Sequence, residues 1–234
     1  MANSAKTGSD RPTALITGAS RGLGAAIARA LAPTHRLLLG ARTPEALEPM
    51  LRELPDATGW PVQLTDYAAV AAAAESIERL DVLVHNAGIA DLGTIADSSV
   101  AQWRNTLEAN LIAVSELTRV LLPALRAAHG HVVLINSGAG LRVNPGWGVY
   151  AASKFALRAF GDALRLEEPD LRVTSVHPGR IDTDMQRALV AGEQREYEPS
   201  EFLTPETVAW TVRNAIETPR DAHPTEIVLR PIPR

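Results

Sequence analysis

Short apolar runs alternate with longer stretches of helical period from Thr13 onward, and this alternation limits the possible folds more than any other feature of the chain. The runs read TALIT, HRLLLG, PVQL, DVLVHN, HVVLIN, RVTSVH and EIVLR. Runs apolar on both faces suit a parallel sheet covered by helices on each side. The pattern therefore predicts an α/β fold of the Rossmann type, a doubly wound sheet of about seven parallel strands. Between the runs, the stripe Leu23, Ile27, Ala30 and Leu31 predicts a helix that stops at Pro33. AVAAAAESIERL and AQWRNTLEANLIAVSELTRVLLPALRAA predict two further helices. No repeat or linker divides the chain, so a single domain over residues 12–234 is expected, after a polar, disordered tail at residues 1–11.

Composition narrows the partners. A formal net charge of -4 and the lack of any polybasic run leave no field that would gather nucleic acid, and a small-molecule partner is expected. With no cysteine there is neither a disulfide framework nor a thiolate nucleophile. No metal site is expected; the nearest histidine pair, His129 and His131 in AAHGHVVL, reads as a solvated turn. The amino terminus lacks the apolar core of a secretion signal, and no segment approaches the ~20 apolar residues of a membrane span, so a cytoplasmic protein without membrane attachment is expected.

The first apolar run leads directly into TGASRGLGAAIARAL, with glycines at positions 18, 22 and 24 before the helical stripe. Gly18 permits a sharp turn, Gly22 lets backbone approach a pyrophosphate, and Gly24 lets the helix pack closely on the strand. Free amides at the helix start then face the anion, which predicts a dinucleotide site. Three residues separate the first two glycines, one departure from the general form of this turn. A cofactor without a 2'-phosphate usually meets an acidic side chain roughly 20 residues further on. Here there is no Asp or Glu between Gly18 and Arg42, whereas Arg21 and Arg42 can clamp a phosphate and Thr43 can add a hydroxyl. NADP(H) is therefore expected over NAD(H); the alternative is that both arginines are simply solvated.

Further along, NSGAGLRVNPGWGVYAASKF places a tyrosine and a lysine four residues apart, in a chain whose only lysines are Lys6 and Lys154. Taken together, TGASRGLG, the NAG at Asn86 to Gly88, Asn110, Ser137, YAASK and the PGRIDT at Pro178 to Thr183 resemble, in order, the motifs of the short-chain dehydrogenase/reductase family of the compact, roughly single-domain type. The resemblance covers nearly the whole chain from Thr13. It implies an oxidoreductase that moves a hydride between NADP(H) and a carbonyl or alcohol, with Asn110, Ser137, Tyr150 and Lys154 as catalytic residues. It also implies cofactor contacts from Gly18, Ser20, Arg21, Gly22, Leu23 and Gly24 in the loop, and from Arg42, Thr43 and Leu64 around the adenosine. Asn86, Ala87, Gly88, Tyr150, Lys154, Pro178, Gly179, Ile181 and Thr183 complete that set. Gln63 stands where the family commonly has an aspartate, and EIVLRPIPR lacks the glycine-rich tail of many relatives.

The chemistry gives each residue a reason of its own. A carbonyl that accepts a hydride becomes an alkoxide and needs a proton, and Tyr150 is the candidate acid. Its ordinary pKa of about 10 is too high for easy exchange near neutrality, and Lys154, on the same helix face, is expected to draw it down. Ser137 can bond the substrate oxygen, and Asn110 can order a water leading to Lys154. The loop GAGLRVNPGWG is expected to overhang the substrate, with Trp147 either a wall of the pocket or ordinary loop packing. Residues 184–203 resemble the family's mobile lid. The helices around Trp103 to Leu125 and after Tyr150 suit the family's paired-helix interface, so a homodimer or homotetramer is expected, although burial inside one subunit competes with that. A noncatalytic NADP(H)-sensing or scaffold protein on the same fold is the alternative function.

Overall fold

The computed structural model describes residues 11–232. The expected tail at residues 1–11 thus lies outside the described residues apart from Arg11. In chain order the elements are β1 (Thr13–Ile16), α1 (Gly22–Leu31), β2 (Arg36–Ala41), α2 (Glu48–Glu53), β3 (Thr58–Pro61), α3 (Tyr67–Ala74) and β4 (Val82–His85). Then come α4 (Val100–Leu107), α5 (Ala113–Ala128), β5 (His131–Ile135), α6 (Gly148–Glu167), β6 (Arg172–Pro178), α7 (Asp184–Gly192), α8 (Pro205–Glu217) and β7 (Glu226–Leu229). The seven strands form one sheet in the order β3-β2-β1-β4-β5-β6-β7. Every neighbouring pair is parallel.

Each face of the sheet is closed by its own apolar layer. On one side Ile27 and Leu31 of α1 pack with Val208 and Val212 of α8; on the other Leu117 and Leu121 of α5 pack with Leu157 of α6. Burying each such side chain stabilises the fold by about 1.5–3 kcal/mol, which explains why the strands read as continuous apolar runs. The strand order reverses between β1 and β4, and in such sheets the crevice that takes ligands lies beyond the carboxyl ends of the strands at this switch point.

Three local expectations need correction. The third strand is Thr58–Pro61, not the run PVQL at positions 61–64. Trp60 is the side chain that enters the core, and only the Val62 amide, bonded to the Ala41 carbonyl at 2.8 Å, extends the pairing. The following helix starts early, with the Asp66 carboxylate accepting from the Ala69 amide at 3.1 Å, and stops at Ala74 before ESIERL. His131 is not solvated: it opens β5, is buried, and bonds through Nε2 to Thr174 Oγ1 at 2.8 Å. That hydroxyl donates to the Pro224 carbonyl at 2.6 Å, so the imidazole links β5 to β6 and to the chain leading into β7. Among the described residues, no helix is long and apolar enough to cross a membrane.

Candidate active site

The glycine turn forms where sequence reasoning puts it. Gly22 takes φ of 54°, a left-handed value that side chains rarely adopt. A Cβ on Gly24 would stand 2.1 Å from the Gly18 carbonyl oxygen, so α1 can lie against the turn only with glycine there. The Arg21 side chain makes no cap hydrogen bond and the first turn of α1 holds no acid, which leaves its amides facing the crevice. This bare, positively polarised helix start, shaped by absent side chains, fits a pyrophosphate. Ser20 lies half-buried in the turn and Leu23 is buried beneath it.

The turn is braced from β4. Thr17 Oγ1 accepts from the amides of Asn86 and Ala87, each at 3.0 Å. Asn86 Nδ2 in turn donates to the carbonyls of Thr17 at 2.9 Å and Gly18 at 3.1 Å. Asn86 therefore shapes the glycine turn through backbone. Thr17 was missed in the sequence, although a hydroxyl ending an apolar strand just before the first glycine is a visible signal. Arg42 and Thr43 follow β2 on the exposed surface, Leu64 is half-buried, and the Gln63 amide donates to Thr65 Oγ1 at 3.1 Å. Opposite the turn, Pro178 closes β6, the Gly179 amide donates to the Leu229 carbonyl at 2.8 Å, and Ile181 bridges to Leu203. Thr183 caps α7, and its methyl lies 3.5 Å from where a Cβ on Gly22 would stand, so the two loops approach across the crevice. Arg21 reaches Asp184 at 3.5 Å across the same gap.

The four side chains expected to carry the chemistry, Asn110, Ser137, Tyr150 and Lys154, lie on the neighbouring elements. Ser137 follows β5, and its Oγ accepts from the Ala139 amide at 3.1 Å, tightening the turn Gly138–Gly140. Tyr150 and Lys154 lie one helical turn apart on α6, with Lys154 Nζ 5.7 Å from the centre of the phenol ring. Trp147 meets that ring edge-on at 5.9 Å. Asn110 sits in a π-helical turn, Glu108–Ile112, that joins α4 to α5 within what the sequence reads as one unbroken helix. Its Oδ1 accepts from the Ile89 amide at 2.9 Å, and its Nδ2 donates to the Ile89 carbonyl at 2.9 Å and to Ser153 Oγ at 3.0 Å. Ser153 Oγ donates to the Tyr150 carbonyl at 2.7 Å. Both ends of the Asn110 amide are thus taken by protein, and the residue braces the loop after β4 against α6. The wider π turn is itself tied down by Tyr67, whose hydroxyl donates to Glu108.

Sequence reasoning also missed Asn136. It is buried, its Oδ1 accepts from the Ser137 amide at 2.8 Å, and its Nδ2 donates to the Lys154 carbonyl at 3.1 Å. An amide ending the apolar run HVVLI, one residue before Ser137, is the signal that it left.

The electrostatics differ from the expected picture. Burial pushes the Tyr150 phenol above its ordinary value, and the opposing influence is a hydrogen bond with Ser137, not Lys154. Lys154 is 6% exposed, donates Nζ to the Ile135 carbonyl at 3.0 Å, and is lowered to about 8 by burial. Desolvation penalises both charged forms, so it outweighs an attraction acting over this distance. The site near neutrality holds a neutral phenol, a proton donor, beside an ammonium that loses its proton easily.

The family profile described as short chain dehydrogenase matches residues 12–194. The chain is 32% identical to dehydrogenase/reductase SDR family member 11 of Mus musculus over 243 residues, covering 93% of each protein. It is 38% identical to glycine betaine reductase ATRR of Emericella nidulans over 235 residues, which is 93% of this chain but 18% of that longer protein. Among solved structures it is similar to an alcohol dehydrogenase from the archaeon Thermococcus sibiricus complexed with 5-hydroxy-NADP, with a TM-score of 0.87, 30% identity, and coverage of 96% of this chain and 98% of the other.

Proposed function

This chain belongs to the short-chain dehydrogenase family of oxidoreductases, and on that premise we propose that it transfers a hydride between NADP(H) and a small carbonyl or alcohol, with Tyr150 as acid and base. The observation that carries this reading is the Tyr150 phenol one helical turn from the buried Lys154, with Nζ 5.7 Å from the ring centre, beside Ser137 at the end of β5. When bound, the reduced nicotinamide supplies the hydride from its C4. Tyr150 gives its proton to the substrate oxygen as that oxygen gains charge, and Ser137 holds the oxygen by a hydrogen bond. Lys154 keeps a compact positive charge beside the phenol and refills its proton, while Asn110 and Ser153 hold the helix turn that carries both groups. Trp147 and the loop around it form the substrate wall, and residues 184–203 close over it.

The test of the reaction is oxidation of NADPH against a panel of aldehydes and ketones. Tyr150→Phe is expected to lower kcat by about 10²–10⁴-fold. Equal activity in the Phe variant, or no turnover by the wild type despite tight NADPH binding, would overturn the mechanism. Arg42 supports the preference for NADP(H), because it stands exposed just past β2 with no acidic residue at the end of that strand, and Arg21, exposed in the glycine turn, joins it only by leaving Asp184, 3.5 Å away. Arg42→Asp is expected to weaken NADPH roughly 10–100-fold, the worth of a charge-assisted hydrogen bond, and NADH far less. Equal weakening of both cofactors removes the phosphate clamp. Exposed Val100 on α4, Ile112 in the π turn and Phe155 on α6 support a homo-oligomer paired through these helices. Light scattering on the purified protein tests this, and a monomer rejects it.

A further inference from the structure

We infer that His177 is a positioning residue for Ser137, holding the serine by donating its Nδ1–H to the Ser137 carbonyl. The activity arm of this inference rests on the hydride-transfer reading above. His177 lies on β6 with none of its surface exposed, and its Nδ1 is 3.1 Å from the Ser137 oxygen. A carbonyl can only accept, so Nδ1 carries the proton, and in the neutral ring Nε2 is then bare.

The location gives that bond its purpose. The register of β5 and β6 ends at Ile135 and Val176, and the last ladder bond runs from the Asn136 amide to the Val176 carbonyl at 2.8 Å. Ser137 stands just past the ladder, where the sheet no longer holds the backbone. Side chains and a tight turn replace it. The Ser137 amide donates to Asn136 Oδ1 at 2.8 Å, and its carbonyl accepts from the Gly140 amide at 3.0 Å as well as from His177. Rotating this peptide would swing Oγ away from Tyr150, so the imidazole sets where the serine hydroxyl points.

The ring is an expensive choice for mere core filling. Its Nε2 has no hydrogen-bond partner among the described residues and lies 3.8 Å from Glu226 Oε1, which Arg158 of α6 holds at 2.7 Å. An aliphatic side chain would fill the space without a stranded polar atom. Arg230 also borders the pocket, bonding the His177 carbonyl at 3.5 Å. Burial keeps the imidazole below its ordinary pKa, with Arg158 and Arg230 acting in the same direction and Glu226 and the Ser137 bond opposing. At neutral pH the ring is therefore a single, fixed donor.

Two arms test this. In cofactor-free protein labelled with 15N-histidine, the wild type should show an exchange-protected imidazole Nδ1–H that vanishes in His177→Leu. Absence of that proton in the wild type overturns the inference whatever the enzyme does. In steady-state kinetics with the carbonyl panel, His177→Leu should lower kcat roughly 10–100-fold, the scale of a small misplacement of a reacting group, with NADPH affinity unchanged. His177→Asn, whose amide occupies the Nδ1 position, should recover most of the rate, and His177→Gln, which reaches the Nε2 position, should not. In a Ser137→Ala background, His177→Leu should cost nothing more, because its effect passes through the serine. Equal losses in both backgrounds, recovery by Gln in place of Asn, or a loss confined to NADPH binding each overturn the assignment. A wild type that reduces no carbonyl but shows the protected proton defeats the hydride-transfer reading and leaves the His177–Ser137 bond standing.

Discussion

The seam between β5 and α6 and the segment from α7 to α8 both border the crevice, yet they are held by opposite means. In the seam, buried amides and hydroxyls of Asn110, Asn136 and Ser153 bind backbone and one another, and Lys154 is buried with them. In the outer segment, Arg187 and Tyr197 both meet Asp182 Oδ1, at 2.7 Å and 2.6 Å, and Arg195 meets Glu201 at 2.7 Å, with most of these side chains in solvent. Arg187 lies over the Tyr197 ring at 4.4 Å and Arg180 over Phe202 at 5.5 Å. A buried polar group left without its partner costs about 1–3 kcal/mol, whereas an exposed ion pair contributes about 0–1 kcal/mol and weakens in salt. The seam is thus built to keep one geometry. The outer segment is built from contacts that can be exchanged cheaply, which suits a part that admits and releases ligand.

Variants in the two regions should separate accordingly. The largest effect is expected at Lys154. Lys154→Arg puts a planar, bulky, fixed charge into a site shaped for an ammonium and should cost roughly 10²-fold or more in kcat, read by NADPH oxidation. If Arg serves as well as Lys, the seam is looser than described. The same residue sets a pH dependence. Reduction should decline as pH rises through about 8, where the ammonium is lost, while the raised phenol stays protonated. Stability should move the other way. The folded state gives up the Lys154 proton at about 8 and the unfolded chain keeps it up to 10.5, so between these values the unfolded state binds more protons and stability rises with pH. The full change is about 3 kcal/mol, and urea midpoints measured for wild type and Lys154→Met across this window would reveal it as a difference between their slopes, because the raised tyrosines contribute alike to both proteins.

A smaller effect is expected at Asn136. Asn136→Leu strands the Ser137 amide and removes the bond that ties the Lys154 carbonyl of α6 to the end of β5, and should destabilise the fold by about 1–3 kcal/mol, with a loss of kcat beyond that of a core change elsewhere. Chemical denaturation and kinetics on the same sample check both parts. The smallest effect is expected in the outer segment. Asp182→Asn removes the shared carboxylate of Arg187 and Tyr197, yet should cost less than about 1 kcal/mol, and less still in high salt. A loss matching that of Asn136→Leu would erase the distinction between the two regions.

Much of this was legible beforehand, for identifiable reasons. The seven parallel strands follow from apolar runs because a strand covered on both faces has no polar side to show. The turn from Gly18 to Gly24 follows from glycine spacing because only glycine tolerates those approaches. Tyr150 and Lys154 were found because helical spacing places residues four apart on one face. What escaped depended on neighbours distant in sequence. The third strand was misplaced since PVQL is more apolar than TGWP, and only contact with the core reveals that Trp60 is the buried residue. His131 read as solvated because its partners, Thr174 and the backbone beyond it, lie more than a strand away. The π turn was invisible because one extra residue in a helical turn leaves the apolar period almost intact.

The sequence alone determined the strand and helix alternation, the glycine turn and the pairing of a phenol with an ammonium, since each depends on residues close together in the chain. The tertiary structure decided how those parts are held and charged. Asn136 joins Ser137 to Lys154, His177 reaches Ser137 from the neighbouring strand, and burial, not attraction between the pair, sets the protonation of Tyr150 and Lys154. The reason is physical: spacing fixes local geometry, whereas desolvation and the satisfaction of buried polar groups depend on every element that packs around them.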